Sequence, residues 1–163
     1  MISIDDISIR TELRPGDFGA VVQMHGSLYK QEFDYGIEFE IIVAKGLLEF
    51  YELHTPEKSC VWIGEYRNEI VGFVLLLERG TAAQLRFFIV SPGFRNIGLG
   101  KKLMQLFLGF LKSAGYKSGY LWTTNEQTTA AKLYSKFGFT LTQELQSNRF
   151  GKPLKEQRWE LNV

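Results

Sequence analysis

The segment SPGFRNIGLGKKL, residues 91–103, constrains the fold of this sequence more than any other. It follows the run LRFFIV, residues 85–90, whose apolarity is typical of a strand that is buried on both faces. Pro92 ends the strand, and Gly98 and Gly100 come directly before leucines and phenylalanines at helical spacing. The segment therefore predicts a buried strand that enters a helix through a short turn containing glycine.

The elements around this segment predict an α/β (α+β) fold with a mixed sheet. Helices are predicted within 14–33, 36–53, 101–116 and 125–137, a hairpin within 60–80, and strands within 84–90, 119–124, 139–145 and 155–163. The strand–helix–strand order in the middle of the chain favours parallel pairing there, whereas the hairpin favours antiparallel pairing. No linker or repeat interrupts the pattern, so residues 1–163 are predicted to form a single domain.

The composition is that of an ordinary globular protein, with 45% hydrophobic and 23% charged residues. No apolar run approaches the ~18 residues that a membrane span needs, and the acidic start MISIDDISIR is unlike a signal peptide. The single cysteine, Cys60, excludes an internal disulfide and fits a reducing, cytoplasmic location. With only two distant histidines besides that cysteine, no metal site is expected.

Charge is distributed unevenly along the chain. Residues 1–60 hold 11 acidic and 5 basic side chains, a net charge of −6, and residues 61–163 hold 7 acidic and 14 basic ones, a net charge of +7. The asymmetry is consistent with solvated helix faces, or with an anionic ligand on the C-terminal part and a cationic one near the N-terminal part. The overall charge of +1 argues against a nucleic-acid surface.

The glycine turn is suited to binding phosphate groups. The first amides of a helix lack partners inside the helix and carry partial positive charge, and glycine lets a ligand come close to the backbone. Two well-known phosphate loops are excluded. A P-loop needs serine or threonine where Lys102 stands, and a dinucleotide fingerprint needs a third glycine where Leu103 stands.

Two motifs in order resemble the GNAT superfamily of N-acetyltransferases. Residues 95–100, Arg-Asn-Ile-Gly-Leu-Gly after a Val-x-Pro strand end, resemble the acyl-CoA loop of that family. Residues 130–139, AAKLYSKFGF, are similar to its A-x-x-L-Y-x-x-x-G-F helix. Over nearly the whole chain, the sequence looks most like the acetyltransferase domain found fused to MarR-type regulators. Because it has no room for their winged-helix DNA reader, DNA binding is not expected here.

The resemblance implies the GNAT fold, in which the central parallel strands of a mixed sheet splay apart and acetyl-CoA lies in the gap. The pantetheine arm is expected to pair with the strand end and the diphosphate with the amides of the turn. The residues expected to bind this cosubstrate are Phe88, Ile89, Val90, Arg95, Asn96, Ile97, Gly98, Leu99, Gly100 and Lys101. Arg95 is also consistent with a surface arginine that caps the turn.

The resemblance also implies the chemistry at the thioester. Tyr134 matches the family's tyrosine, which protonates the CoA sulfur, and a phenol of pKa ~10 stays protonated at neutral pH for that task. A strand amide around Val90 is expected to hydrogen-bond the thioester carbonyl. Gln127 stands where many relatives carry an asparagine that holds the pantetheine. Asn125 is an equal alternative, because Thr124 and Gln127 also fit a helix capping box.

The group that accepts the proton of the amine is not specified by a motif. Glu38, Glu40 and His25 in the acidic N-terminal part are the candidates, with Glu40 and His25 retained as catalytic predictions. Glu38 and Glu40 project in different directions from a helix, so one of them at most faces the cleft. His25 and Tyr29 are one helical turn apart and are expected to line the acceptor side.

Two functions from different classes remain open from sequence alone. The favoured one is an enzyme that acetylates a primary amine of a small molecule or amino acid, with protein amines as a variant. The alternative is a non-catalytic acyl-CoA sensor or a module that binds a partner protein, which needs the phosphate loop but no base. Neither involves nucleic acid or a membrane, and homodimerisation is expected by analogy alone.

Overall fold

A computed structural model describes residues 1–163 and shows a mixed α/β architecture of seven strands and four helices. The strands are β1 (Ser8–Arg10), β2 (Cys60–Tyr66), β3 (Glu69–Arg79), β4 (Ala82–Val90), β5 (Ser118–Thr124), β6 (Thr140–Ser147) and β7 (Leu154–Asn162). The helices are α1 (Asp17–Phe33), α2 (Ile37–Leu53), α3 (Leu99–Ser113) and α4 (Thr128–Lys136). None of the helices has the combination of length and apolarity that crossing a membrane requires.

The seven strands form one sheet in the order β1-β2-β3-β4-β5-β7-β6. Only the central pair, β4 and β5, is parallel, as the strand–helix–strand order predicts. Their pairing is short and ends where Gln84 lies opposite Tyr120. Beyond that point β4 continues to Val90 beside β3, and β5 continues to Thr124 beside β7. The predicted splay of the central strands is therefore confirmed, and it opens a gap in the middle of the sheet.

The helices cover opposite faces of the sheet. On one side, the α1–α2 face, Val21, Leu28, Val43, Leu47 and Phe50 pack against Ile63, Phe73, Leu75, Leu77 and Ile89 of the strands. On the other side, the α3–α4 face, Leu99, Leu103, Met104, Phe107, Leu111 and Tyr134 pack against Val74, Leu76, Leu85 and Leu121. The alternation of strand side chains between two apolar faces explains why the central strands are hydrophobic throughout.

The structure adds one strand and the order of the last two strands, neither of which the sequence predicted, and it contradicts one predicted cap. β1 was not predicted, because three residues are too few to show a period; it pairs with β2 with Ser8 opposite Glu65. β7 lies between β5 and β6, although β6 precedes it in the chain. The predicted capping box is wrong. Gln127 itself occupies the N-cap of α4 without a side-chain cap, and the Thr124 hydroxyl is hydrogen-bonded to the Tyr35 hydroxyl at 2.6 Å.

Candidate active site

A cavity of about 500 Å³ lies at the gap between β4 and β5. It is lined by His25, Tyr29, Phe39 and Ile42 of α1 and α2, by Gln84, Leu85, Arg86, Phe87 and Phe88 of β4, by Trp122, Thr123, Gln127 and Tyr134 of β5 and α4, and by Leu145, Arg149, Phe150 and Glu156 of the β6–β7 hairpin. Tyr29 packs on the α1–α2 face and Tyr134 on the α3–α4 face. The cavity therefore reaches groups on both faces of the sheet.

β4 contains a bulge beside the cavity, where Phe87 and Phe88 together lie opposite the single residue Val74 of β3. Phe87 adopts φ of 58°, a left-handed conformation that non-glycine residues rarely occupy. Its ring fits against α2 because Gly46 has no side chain there, and a Cβ at Gly46 would overlap the ring. A bulge leaves one residue of the strand outside the ladder, so it places an unpaired backbone group at the cavity wall.

The turn between β4 and α3 presents free amides. Asn96 and Gly98 have φ of 63° and 93°, and Gly98 is the N-cap of α3, with no side-chain cap. The first hydrogen bond inside the helix runs from the amide of Lys102 to the carbonyl of Gly98, at 2.9 Å. The amides of residues 99–101 therefore have no partner within the helix, and the helix dipole adds positive charge there. The turn has the features that the sequence predicted for binding a diphosphate.

The strand end expected to bind the pantetheine arm lies next to this turn. Ile89 is buried in the core of the α1–α2 face, whereas Phe88 and Val90 pack toward α3 and α4. A Cβ on Gly100 would be 3.3 Å from the Phe88 ring and 3.9 Å from Val90. The lack of a side chain at Gly100 therefore lets the start of α3 lie close against the end of β4.

Arg95 is engaged by protein groups. Its Nε donates a hydrogen bond to the carbonyl of Val90 at 3.1 Å, and its Nη1 lies 2.7 Å from Oε1 of Glu32 near the end of α1. In this arrangement Arg95 braces the turn against the strand end and α1. This geometry matches the alternative interpretation from the sequence, in which Arg95 is a surface arginine that caps the turn.

Tyr134 extends from α4 to the cavity and is 4% exposed. Its ring centroid is 6.2 Å from those of Phe88 and Phe139, both in edge-to-face arrangements. Burial raises the pKa of the Tyr134 phenol well above its usual value, and the neighbouring phenol of Tyr29 raises it further. The hydroxyl is therefore protonated at neutral pH and is available as a donor in the cavity.

His25 lines the cavity from α1 and is 2% exposed. Its Nδ1 lies 2.8 Å from the carbonyl of Val21, and because a carbonyl only accepts, Nδ1 carries the proton. Nε2 then has a lone pair and no hydrogen-bond partner. Burial lowers the pKa of His25 to about 4, against a smaller opposing effect of the bond to Val21. The ring is neutral at pH 7 and stacks on Tyr29, with centroids 5.7 Å apart.

The other predicted residues separate into two groups. Gln127 lines the cavity, whereas the side chain of Asn125 accepts a hydrogen bond from the amide of Lys155 and extends the pairing with β7. Glu40 lines a separate groove between α1 and α2, with its carboxylate over Gly26. The structure therefore brings Gln127, His25 and Tyr134 to one cavity and leaves Asn125 and Glu40 outside it.

Three charged cavity residues were missed by sequence reasoning. Arg86 lines the cavity from β4, and Arg149 and Glu156 form a two-point ion pair at the β6–β7 hairpin, with distances of 3.0 and 3.1 Å. Arg86 and Glu156 lie on strands whose order in the sheet was not predicted, and Arg149 lies in the turn between β6 and β7. The one available signal was an arginine within the apolar run of β4.

Comparison with known proteins agrees with this geometry. The model of the acetyltransferase (GNAT) family matches residues 25–139. N-acetyltransferase family 8 member 3 of Rattus norvegicus is 32% identical over 92 residues, which cover 53% of this chain and 40% of that protein. The chain thus spans about two fifths of the length of this curated relative.

Solved structures of acetyltransferases share the fold. An acetyltransferase of the GNAT family from Staphylococcus aureus Mu50 superposes with a TM-score of 0.78 at 22% identity, over 96% of this chain and 98% of that one. A GNAT family acetyltransferase from Elizabethkingia anophelis with acetyl-CoA bound superposes with a TM-score of 0.64 at 18% identity, over 98% and 99%. At these identities the likeness establishes the fold, and the predicted fold is confirmed.

Proposed function

Because the chain belongs to the acetyltransferase (GNAT) family, we propose that it transfers the acetyl group of acetyl-CoA to a primary amine of a small molecule or amino acid. The observation that carries the proposal is the splay of β4 and β5, which opens a cavity reaching Tyr134 on one face and His25 on the other. The free amides of residues 99–101 lie at the start of α3, after the turn that follows β4. The gap and the turn together match an extended thioester ligand with a diphosphate at one end.

The cosubstrate is proposed to lie along the end of β4. Its diphosphate binds the amides of residues 96–101, and its pantetheine arm pairs with the free edge of residues 88–90. Gln127 is the side chain in the cavity that is suited to hold the pantetheine amides. The acetyl carbonyl then reaches the bulge at Phe87 and Phe88, where an unpaired backbone amide can stabilise the negative charge that develops on its oxygen.

We assign Tyr134 as the general acid. When the amine attacks the thioester, the carbon–nitrogen bond forms and the carbon–sulfur bond breaks, so the leaving thiolate needs a proton. The phenol of Tyr134 is protonated at neutral pH and lines the cavity. A donor of this kind typically contributes 10²–10⁴-fold to the rate.

We assign His25 as the acceptor of the amine proton. His25 lines the cavity and its buried Nε2 has no hydrogen-bond partner, while the bond from Nδ1 to Val21 holds the tautomer that leaves a lone pair on Nε2. The amine attacks in its neutral form. Attachment to the acetyl carbon then makes its N–H more acidic than in the free ammonium, so the proton can pass to Nε2 as the carbon–sulfur bond breaks. Glu40 is not carried forward, because it lines a different groove.

The bounds of the domain and the group within the family to which the chain is most similar are part of the same proposal. Residues 1–163 are taken as one acetyltransferase domain, supported by the single sheet that runs from β1 to β7. Within the family, we place the chain nearest the acetyltransferase domain that is fused to MarR-type regulators, on the sequence likeness over nearly the whole chain. No DNA-binding role is carried over with that placement.

The experiment that tests the function combines binding and turnover. Calorimetry with acetyl-CoA is expected to show binding to wild type and to Tyr134→Phe alike, because the phenol acts on the leaving thiolate. In the presence of amines, wild type releases CoA and forms acetylated product, and Tyr134→Phe lowers kcat at least a hundred-fold. Binding without any turnover in wild type would instead support the non-catalytic acyl-CoA sensor.

A further inference from the structure

The cavity wall contains a partly buried arginine whose positive charge is incompletely neutralised. The side chain of Arg86 is 19% exposed, and its Nη1 donates to Oε2 of Glu49 at 2.8 Å. The other oxygen of the same carboxylate, Oε1, lies 2.6 Å from Nη1 of Arg79. Two guanidinium groups thus share one carboxylate, and the group has a net charge of +1. Burial, assisted by the charge of Arg79, lowers the pKa of Arg86, although Glu49 opposes this effect.

No other cavity residue supplies a free negative charge. Glu156, the single carboxylate that lines the cavity, is paired at two points with Arg149. His25 is neutral at pH 7, since burial lowers its pKa to about 4. An unpaired charge in a low-dielectric site is unfavourable, so the net positive charge at Arg86 favours a ligand that brings an anionic group.

The position of Arg86 indicates that the anionic group belongs to the acceptor, the molecule that carries the amine. Arg86 directly precedes the bulge residue Phe87, and the side chains of both approach Gly46 on the α1–α2 face. Tyr134 lies on the opposite face. Four residues of strand, about 13 Å, separate Arg86 from Val90 and the turn beyond it. The diphosphate proposed to bind that turn is therefore too far away to be the partner of Arg86.

The remaining walls of the cavity on this face are apolar. Phe39 contacts both Tyr29 and Phe150, with ring centroids 4.8 Å apart for Tyr29 and Phe39 and 5.1 Å apart for Phe39 and Phe150. Ile42 lies beside them along the same cavity. Such walls suit an aliphatic or aromatic side chain.

On these grounds, and resting on the proposed function, we propose that the acceptor is an α-amino acid with an apolar or aromatic side chain whose carboxylate binds Arg86. Its amine is two bonds from the carboxylate, which brings the amine to the bulge where the thioester carbonyl is placed. Its side chain lies among Tyr29, Phe39 and Phe150. The carboxylate supplies the negative charge that Arg79 and Arg86 lack.

Matched acceptors test the proposal on wild-type protein with saturating acetyl-CoA. L-phenylalanine is compared with phenethylamine and with L-phenylalanine amide, which lack the carboxylate charge, and L-leucine is compared with isopentylamine. CoA release and product mass are the readouts. For at least one pair, kcat/KM is expected to be ten-fold or more higher for the amino acid, equivalent to about 1.4 kcal/mol.

The outcomes separate this inference from the proposed function. If calorimetry shows no binding of acetyl-CoA, the proposed function fails and the inference fails with it. If acetyl-CoA binds and the amines without a carboxylate react equally well or better, the inference is overturned while the acetyltransferase function stands. It is also overturned if acetyl-CoA binds and neither amino acid raises CoA release above hydrolysis.

A pair of variants locates the carboxylate. Arg86→Gln is expected to raise KM for the preferred amino acid ten-fold or more and to abolish its advantage over the matched amine. Arg79→Gln is the matched control, because it breaks the same link to Glu49 but does not line the cavity. It removes the surplus charge but leaves the Arg86 guanidinium in the cavity wall, so it is expected to weaken the preference less than Arg86→Gln does. Acetyl-CoA binding by both variants confirms that they fold, and a preference that survives in Arg86→Gln overturns the assignment. Should Arg86→Gln not fold, Arg86→Lys takes its place, because it keeps the charge without the planar guanidinium. It is expected to weaken the preference for the amino acid, and an unchanged preference overturns the assignment.

Discussion

Phe87 of β4 and Gly46 of α2 are in direct contact, and the ring of Phe87 occupies the space that a Cβ on Gly46 would fill. Phe87 is the bulge residue with φ of 58°. The cation–π contact from Arg86, 4.7 Å from the ring centroid, and the edge-to-face contact with His25, at 5.8 Å between centroids, surround the same ring. A glycine on a neighbouring helix thus makes room for the bulge beside the cavity.

Gly46→Ala is therefore expected to destabilise the protein by about 1–3 kcal/mol, because overpacking a core forces the neighbouring ring to move. It is also expected to lower kcat, since the displaced bulge misplaces the amide that is proposed to bind the thioester carbonyl. The control is Gly109→Ala, another helical glycine but with open space around it, which is expected to stabilise the protein by up to about 1 kcal/mol. Urea unfolding measures both, and an unchanged midpoint for Gly46→Ala would contradict the packing argument.

Gly98→Ala is expected to weaken acetyl-CoA binding at least five-fold and to destabilise the protein by about 1–2 kcal/mol. The reason is the φ of 93° at Gly98, which is unfavourable for a residue with a Cβ, although nothing obstructs the Cβ itself. Gly93→Ala, in the preceding 3₁₀ turn, also has open space but no positive φ, and is expected to behave like wild type. Equal affinities for the two variants in calorimetry would count against the turn as the diphosphate site.

Glu32→Gln is expected to raise the affinity for acetyl-CoA two- to five-fold at low salt. The carboxylate of Glu32 pairs with Arg95 at 2.7 Å and competes with an incoming phosphate for that guanidinium. The pair is partly exposed, so the gain is limited to the range of a surface ion pair, and it shrinks in high salt. Glu52→Gln, which removes an equal charge from an exposed position on α2, should leave the affinity unchanged. A weaker affinity in Glu32→Gln would show that the brace of Arg95 is itself required for binding.

The pH dependence of stability is expected to report on His25. Its pKa is about 4 in the folded protein and about 6.5 when unfolded, so the unfolded state binds more protons between these values. The contribution is complete above pH 6.5 and is lost as the pH falls toward 4, up to about 3 kcal/mol. His25→Gln has no titrating group there and is expected to lose less stability between pH 7 and pH 5 than wild type does. His54→Gln, at the other histidine, retains the His25 contribution. If wild type and His25→Gln lose equal unfolding free energy between pH 7 and pH 5 in denaturant titrations, His25 is not the source of the pH dependence.

Local patterns were sufficient to predict most of the elements. α2, β4, β5, β6 and β7 begin and end within a few residues of the predicted bounds, because hydrophobic period and turn residues act over short distances. The glycine turn was also predictable, since the left-handed conformation at Gly98 and the free amides of α3 are properties of a few consecutive residues. The capping box at Thr124 was not, because its hydroxyl is engaged by Tyr35, 89 residues away in the chain.

The sequence by itself determined the fold class, the family and the two ends of the proposed ligand site, the turn at residues 95–100 and Tyr134. Only the tertiary structure decided which polar side chains meet in the cavity. It joined His25 to Gln127 and separated Glu40 from both. It also brought Arg86 and Glu49, from β4 and α2, to the same point as Arg79. The physical reason is that a charge becomes significant through burial and through its partners, and both depend on contacts between elements that are distant in the chain.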